Sequence, residues 1–578
     1  MLHHRSPMDA GVTPGQIDSQ GRYVPTSAER TAYQAARIPW ADQVVYGYYT
    51  LAFLCGILAL YAILYGLWKL RIRYRYGIRS KAYIKLSAIS RLLTYPQLPH
   101  RGWVSYIWTF GPLGPNILLG AGLIFATGFT FINEYYYYPP FYGSAPLYLR
   151  SEWIAMATLP FVYVLGSKRN LISILTGISH EKLQVLHQGS AFNFTYMSLV
   201  HTVAACIRAI RERGMKGTLA VNQVYVSGFV ALAPLLVLFA GALPPFRKSF
   251  YELFYWIHIT MAVFFAGAMF WHGYKTLDSD AYMITTLVLF LSSATTRLIL
   301  IILNNPTLHS AHVELLDEDT LKITISTIYI NWSDSHPFTI ANAPPLAQQT
   351  QSSDIEKTDR SMATREMIFL LKPLSGFTRT LFNQVQNGQT KYKVLIDGPY
   401  GDANVGGDLR GFDKILIVAG GTGITWALSV LQDLVGNREG RGGMGREVVL
   451  VWAVKRISSM KWFENELQAI RTHHPNVSIE HYITEESIDD FSRPSPPESG
   501  PSSADGHGED DTPSTEKGLQ LSIKAKADCH RGRPDLPYLI ERTVASTHGF
   551  LAVATCGPPA FLTDCANAVY LKSESYGW

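Results

Sequence analysis

Apolar stretches long enough to cross the ~30 Å hydrocarbon layer of a membrane recur through the first half of the chain and stop near Leu303. Seven spans can be drawn, at 46–67, 116–132, 148–166, 190–210, 220–242, 250–271 and 281–303. The third is the weakest, because Arg150, Ser151 and Glu152 interrupt it and Pro160 lies inside it. Beyond Leu303 the pattern changes to short runs such as LKITIST and KYKVLIDGPYG with turn residues between them, which predicts a β-rich domain over 304–410. From 411 to 578 the order becomes strand, glycine turn, helix, strand, as in KILIVAGGTGITWALSVLQDLV followed by EVVLVWAVK. That order predicts an α/β nucleotide-binding domain. Two polar insertions interrupt this half, at 347–364 and 491–518, and the second is rich in Pro, Ser, Gly and acidic residues. Such composition buries too little apolar surface to offset the entropy of ordering, so it reads as a disordered surface insertion.

Charge then orients the spans. Eight basic residues between Lys69 and Arg91 follow the first span, whereas the next loop, EYYYYPPFYGSAPLYLR, is aromatic with one terminal arginine. Short cytoplasmic loops are enriched in Lys and Arg, so residues 1–45 form an outer tail and the second half lies in the cytosol. Arg208, Arg211, Arg213 and Lys216 violate the rule, falling outside. Apolar residues make up 47% and charged residues 16% of the 578, with a net charge of +5, which favours a membrane over nucleic acid as partner. Five cysteines show neither paired nor metal-site spacing, so a disulfide framework is not expected.

Candidate chemistry in the spans lies in four histidines. His187 and His201 flank the fourth span and His258 and His272 the sixth, each pair fourteen residues apart. Fourteen steps of about 100° return to within about 40° of one helix face and climb about 21 Å. Two such helices side by side offer His187 to His258 and His201 to His272, a bis-imidazole site for haem iron near each surface. A lone histidine in a span is more often a packed residue; two matched spacings on one chain point to ligands.

The second half carries its own motifs. Gly376-Phe377-Thr378 opens a predicted helix ending near Val385, and helix N-termini hold phosphate through free N–H groups. Gly420-Gly421-Thr422-Gly423-Ile424-Thr425 follows a strand and precedes an apolar helix, where glycines let a backbone approach a pyrophosphate. His336-Pro337-Phe338-Thr339 ends a β-rich stretch, and Cys556-Gly557-Pro558-Pro559 comes late.

Taken together, HPFT, GFT, DGPYG, GGTGIT, CGPP and the paired histidines resemble the fungal ferric reductase transmembrane components, over nearly all of 46–578 except the insertions. The resemblance implies a polytopic α-helical membrane domain with two haems b, followed by a ferredoxin-NADP reductase-like module of a β-barrel FAD domain and an α/β NADPH domain. By position, it implies that Thr339 lies at the reactive edge of the flavin, with His336, Pro337 and Phe338 shaping that strand end. Gly376, Phe377 and Thr378 take the FAD pyrophosphate, and Gly420 to Thr425 take that of NADPH. Cys556, Gly557 and Pro558 border the nicotinamide, Lys455 and Arg456 meet the 2′-phosphate, and Trp578 covers the flavin ring. The implied activity is plasma-membrane electron transfer from cytosolic NADPH to extracellular ferric or cupric chelates, with an iron permease or oxidase acting downstream. Two rivals remain open at this point: an NADPH oxidase making superoxide, and a transporter or receptor with a degenerate reductase tail.

Overall fold

The computed structural model describes residues 13–36, 43–73, 112–132, 135–274, 276–327, 340–341, 365–374, 376–398, 412–436, 447–485, 529–547 and 551–575, with 89, 93–94, 96, 409 and 549. The chain divides into a helical unit, Met1–Pro306 with Asp397–Ala403, and a second unit, Thr307–Ile396 with Asn404–Trp578.

In the helical unit, α1 (Ser27–Ala35) starts at a capping box in which Thr26 and Glu29 satisfy each other's backbone donors. The bundle follows as α2 (Val45–Arg73), α3 (Leu113–Phe131), α4 (Pro146–Gly166), α5 (Leu171–Thr176), α6 (His180–Glu212), α7 (Met215–Val221), α8 (Gln223–Gly241), α9 (Pro244–Ser249), α10 (Tyr251–Gly273) and α11 (Ser279–Asn304). Among the described residues, five helices, α2, α3, α8, α10 and α11, are long and apolar enough to cross a membrane. The chain is a multi-pass membrane protein. The third and fourth expected spans correspond to α4 and α6, which have 21 and 33 residues but a more polar sequence.

The reason is position. Helix α4 packs against α2, α6 and α11, and Trp153, Ile154 and Ala157 on it are fully buried. A helix walled in by other helices can carry polar groups that protein atoms satisfy. Arg150 is buried, donates through Nη2 to the Tyr135 carbonyl at 2.7 Å, and stands over the Tyr46 and Tyr136 rings at 6.0 and 5.8 Å. Pro160 stands within α4 without ending it.

At the Glu212 end of α6, residues 13–36 fold back onto the bundle. Arg22 donates to the carbonyls of Arg211 and Glu212 at 2.5 and 2.6 Å and lies 4.9 Å from the Phe141 ring. Phe141 has a φ of 71°, a left-handed conformation uncommon outside glycine, and its N–H donates to Glu212 at 3.2 Å.

Among the described residues, the second unit contains two sheets. An antiparallel sheet of β1 (His309–Asp317), β2 (Thr320–Thr327), β3 (Arg365–Leu371) and β4 (Lys391–Val394) has the order β3-β2-β1-β4. Helix α12 (Phe377–Gln386) closes one face, burying Leu381, Phe382 and Val385 against Val313, Leu321 and Leu371. A parallel sheet of β5 (Lys414–Gly420), β6 (Glu447–Val454), β7 (Val477–Ile483), β8 (Cys529–Arg531) and β9 (Leu551–Cys556) has the order β8-β7-β6-β5-β9. Helices α13 (Ile424–Gly436), α14 (Glu464–His473), α15 (Leu536–Ala545) and α16 (Pro559–Ser575) connect or follow the strands. Alternation of side chains splits β5 between two cores: Ile415, Ile417 and Ala419 join one, Leu416 and Val418 the other. A strand buried on both faces reads as one apolar run, as KILIVAG does.

Candidate functional site

Helices α6 and α10 bring the four histidines together in pairs. The rings of His187 and His258 have centroids 6.2 Å apart at an interplanar angle of 74°, and those of His201 and His272 stand 6.2 Å apart at 76°. Fourteen residues of helix separate one pair from the other by about 21 Å. Three rings are fixed by hydrogen bonds at Nδ1. His187 meets the Val162 carbonyl at 2.9 Å, His201 the Tyr148 carbonyl at 3.0 Å, and His272 the Val224 carbonyl at 3.1 Å with Ser227 Oγ at 3.2 Å. A carbonyl only accepts, so each Nδ1 carries the proton and each Nε2 keeps a free lone pair. His258 Nδ1 is buried without a hydrogen-bond partner among the described residues.

These residues fit haem iron. Two imidazoles on one metal, at metal–nitrogen distances of ~2.0 Å, place their ring centres roughly 6 Å apart. Orientation of the ligand by a second-shell carbonyl is the usual device at such sites. Crowding adds to it. A Cβ on Gly166 would lie 3.0 Å from Cε1 of His187, and one on Gly228 would lie 3.0 Å from Cε1 of His272. Between the pairs, Phe194 and Phe265 meet edge to face with centroids 5.8 Å apart, both buried. Glu152 Oε2 stands 3.8 Å from His201 Nδ1.

In the second unit, the glycine turn and the late cysteine motif lie together at the carboxyl ends of neighbouring strands β5 and β9. Gly421 has a φ of 56°, which favours glycine, and its carbonyl accepts from Trp452 Nε1 at 3.0 Å. A Cβ on Gly423 would come within 2.3 Å of the Cys556 carbonyl, so the two backbones meet where only glycine fits. This carboxyl edge is where open parallel sheets bind nucleotides. Burial pushes the Cys556 thiol up to about 11, which keeps it protonated at neutral pH. Gly376, with a φ of 57°, stands at the N-cap of α12, and Phe377 beside it is exposed.

Lys455 and Arg456 follow β6 on the same edge but already hold carboxylates. Lys455 pairs with Glu485 at 2.7 Å, and Arg456 pairs with Asp319 at 3.1 Å and with Glu318. His336, Pro337, Phe338, Thr339 and Trp578 lie outside the described residues. In the basic cluster, Arg208 is enclosed: it pairs with Glu212 at 3.1 Å and donates to Tyr148 Oη at 2.9 Å and Ser144 Oγ at 3.2 Å. Arg211 is exposed over the Tyr137 ring at 4.8 Å.

Residues 151–269 match the family described as ferric reductase like transmembrane component. Residues 318–404 match an FAD-binding domain, and residues 412–570 match the ferric reductase NAD binding domain. These three matches make the chain similar to the fungal ferric reductases. It is 31% identical over 396 residues to a probable cell surface ferric reductase of Aspergillus oryzae, covering 63% of this chain and 51% of that protein. It is 25% identical over 392 residues to ferric/cupric reductase transmembrane component 7 of Saccharomyces cerevisiae, covering 66% of this chain and 62% of that one. The chain thus spans between half and two thirds of the length of these ferric reductases. A solved ferredoxin NADP+ reductase from Neisseria gonorrhoeae with bound FAD and NADP is 12% identical, covering 47% of this chain and 92% of that one at a TM-score of 0.29, too slight a likeness to carry an argument.

The sequence pattern missed several residues that the structure places in this site. Gly166, Gly228 and the Val162, Tyr148 and Val224 carbonyls have no signature of their own, and Phe194 and Phe265 were passed over. One signal was available: Phe194 and Phe265 each lie seven residues after a histidine, midway along the spacing.

Proposed function

We propose that this chain is an oxidoreductase that carries electrons from cytosolic NADPH across the plasma membrane to ferric, and also cupric, complexes outside, reducing them for uptake. The observation that carries this reading is the pair of bis-histidine gaps, each 6.2 Å between ring centres and about 21 Å apart along the same two helices. A nucleotide-binding module on the same chain gives such a relay its electron source.

FAD and two haems b, when bound, supply the conversion of a two-electron hydride into single electrons that cross the membrane. The chain's residues supply placement. Gly420 to Gly423 present a bare backbone for the pyrophosphate of NADPH, and Gly376 to Thr378 present the start of α12 to that of FAD. Cys556, protonated and held against Gly423, borders the nicotinamide without adding charge where hydride leaves. His187 and His258 would hold the iron nearer the cytosol, and His201 and His272 would hold the iron nearer the acceptor. Val162, Tyr148 and Val224 keep three of these rings in the tautomer that leaves Nε2 free. Thr339 and Trp578 at the flavin, and Lys455 and Arg456 at the 2′-phosphate, complete the assignment. The two cations would have to exchange the carboxylates they now hold.

The test uses membranes containing the full chain, supplied with NADPH and ferric citrate without oxygen and with superoxide dismutase. Iron reduction that persists supports the proposal. Reduction that vanishes, together with superoxide production in air, would establish the oxidase instead.

A further inference from the structure

Asp397 and Gly398, which open the DGPYG run, depart from the unit that precedes them in sequence. Strand β4 and Ile396 belong to the second unit, but Asp397 and Gly398 belong to the helical unit. There the Asp397 carboxylate gathers two cations. Its Oδ2 accepts from Lys168 Nζ at 3.2 Å and from Arg297 Nε and Nη2 at 3.1 and 2.7 Å. The Gly398 carbonyl accepts from Asn304 Nδ2 at 2.5 Å.

These partners come from separate places. Lys168 lies just past the end of α4, Arg297 lies on α11, and Asn304 is the last residue of α11. Ser293 of α11 also donates to the Arg169 carbonyl, which ties the two places to each other. An isolated surface ion pair is worth little, but a carboxylate shared by two cations and followed by a backbone bond is a network with a defined geometry. It also sits at a particular end of the bundle. Six residues before Lys168, Val162 holds His187, and Gly166 packs against the same ring.

We propose that Asp397 is a positioning residue within the helical unit: it pins residues 397–398 to the end of α4 and to α11, beside the segment that holds His187, and electron delivery into the His187–His258 pair depends on the pin. The second clause rests on the function proposed above; the first rests on the four contacts alone.

The experiment compares the purified full chain with Asp397→Asn, Arg297→Gln, the double variant and Asp397→Glu. Three quantities are read: backbone hydrogen exchange over residues 395–398, NADPH oxidation by a small water-soluble dye, and NADPH-driven reduction of ferric citrate. Asp397→Asn should speed exchange at least tenfold. It should leave dye reduction and the KM for NADPH unchanged while lowering kcat for ferric citrate tenfold or more. Arg297→Gln should do the same, the double variant should be no worse than either single one, and Asp397→Glu should recover part of the loss. Unchanged exchange, unchanged ferric reduction, or equal loss of both activities would each overturn the proposal. A wild-type chain that reduces the dye but never ferric citrate would sink the proposed function instead, and the exchange rates would then decide the pin on their own.

Discussion

Replacing Gly228 with alanine tests the paired-histidine site with one added methyl group. That methyl would lie 3.0 Å from Cε1, 3.4 Å from Nδ1 and 3.7 Å from Nε2 of His272. Carbon–carbon contacts are comfortable at ~3.5–4.0 Å, so the ring must retreat by about 0.5 Å. Its hydrogen bonds to Val224 and Ser227, at 3.1 and 3.2 Å, would then stretch beyond useful length and lose about 1 kcal/mol. Alanine within a helix restores about 0.5–1 kcal/mol relative to glycine, so overall stability should barely change. Ligand placement should change, because a metal site tolerates about 0.2 Å in its distances. Haem content, measured per chain as the pyridine haemochrome, should therefore fall from two towards one while the thermal midpoint holds. Gly166→Ala, whose methyl would lie 3.0 Å from Cε1 and 3.1 Å from Nδ1 of His187, should do the same to the other site. If both variants kept two haems with unshifted midpoint potentials, the assignment of the four histidines would be wrong.

Burial drives two expected pH effects in the second unit. His481 is pushed down to about 4, by burial first and then by nearby Arg471, so it stays neutral in the fold while the unfolded chain protonates near the ordinary value of 6.5. Its contribution is present above pH 6.5 and fades as pH falls to about 4, which makes the unit acid-sensitive by about 3 kcal/mol; His481→Gln should flatten that dependence in a thermal melt. Cys556 runs the other way: with its pKa raised from 9.0 to about 11, its contribution is full below pH 9 and is lost as pH rises through 11. Iodoacetamide should therefore spare Cys556 at pH 8, and rapid alkylation there would contradict its burial. Arg208→Ala should cost about 3 kcal/mol, because the pair with Glu212 is only 11% and 5% exposed and Glu212 would be left uncompensated. Neutralising exposed Arg211 and Lys216 should leave stability alone and raise the KM for ferric citrate, and an equal effect on an uncharged acceptor would rule out charge steering.

Periodicity made the histidine pairs legible. A fourteen-residue spacing maps directly onto one helix face, and two such spacings need only lie side by side to form the gaps. The glycine turn and the CGPP run were legible for a similar reason, since strand and turn chemistry are local and β5 and β9 lie side by side. What stayed hidden was carried by long-range contacts or by backbone. Asp397 meets Lys168 across 229 positions and Arg297 across 100, and no local pattern encodes such meetings. Hydropathy marked the α4 span as the weakest because Arg150 and Ser151 interrupt it, and both are buried in the bundle. Counting charges over-read the basic cluster, since Arg208 is occupied by Glu212, Tyr148 and Ser144.

Sidedness tests the central claim most directly. Sealed vesicles carrying the full chain would be supplied with NADPH on one face only, with a membrane-impermeant ferric chelate confined to the opposite face and oxygen removed, in each of the two arrangements. Transmembrane electron transfer predicts ferrous iron appearing across the membrane from the NADPH, and its loss in His258→Ala. Iron reduced only when NADPH and chelate share one face would contradict the account.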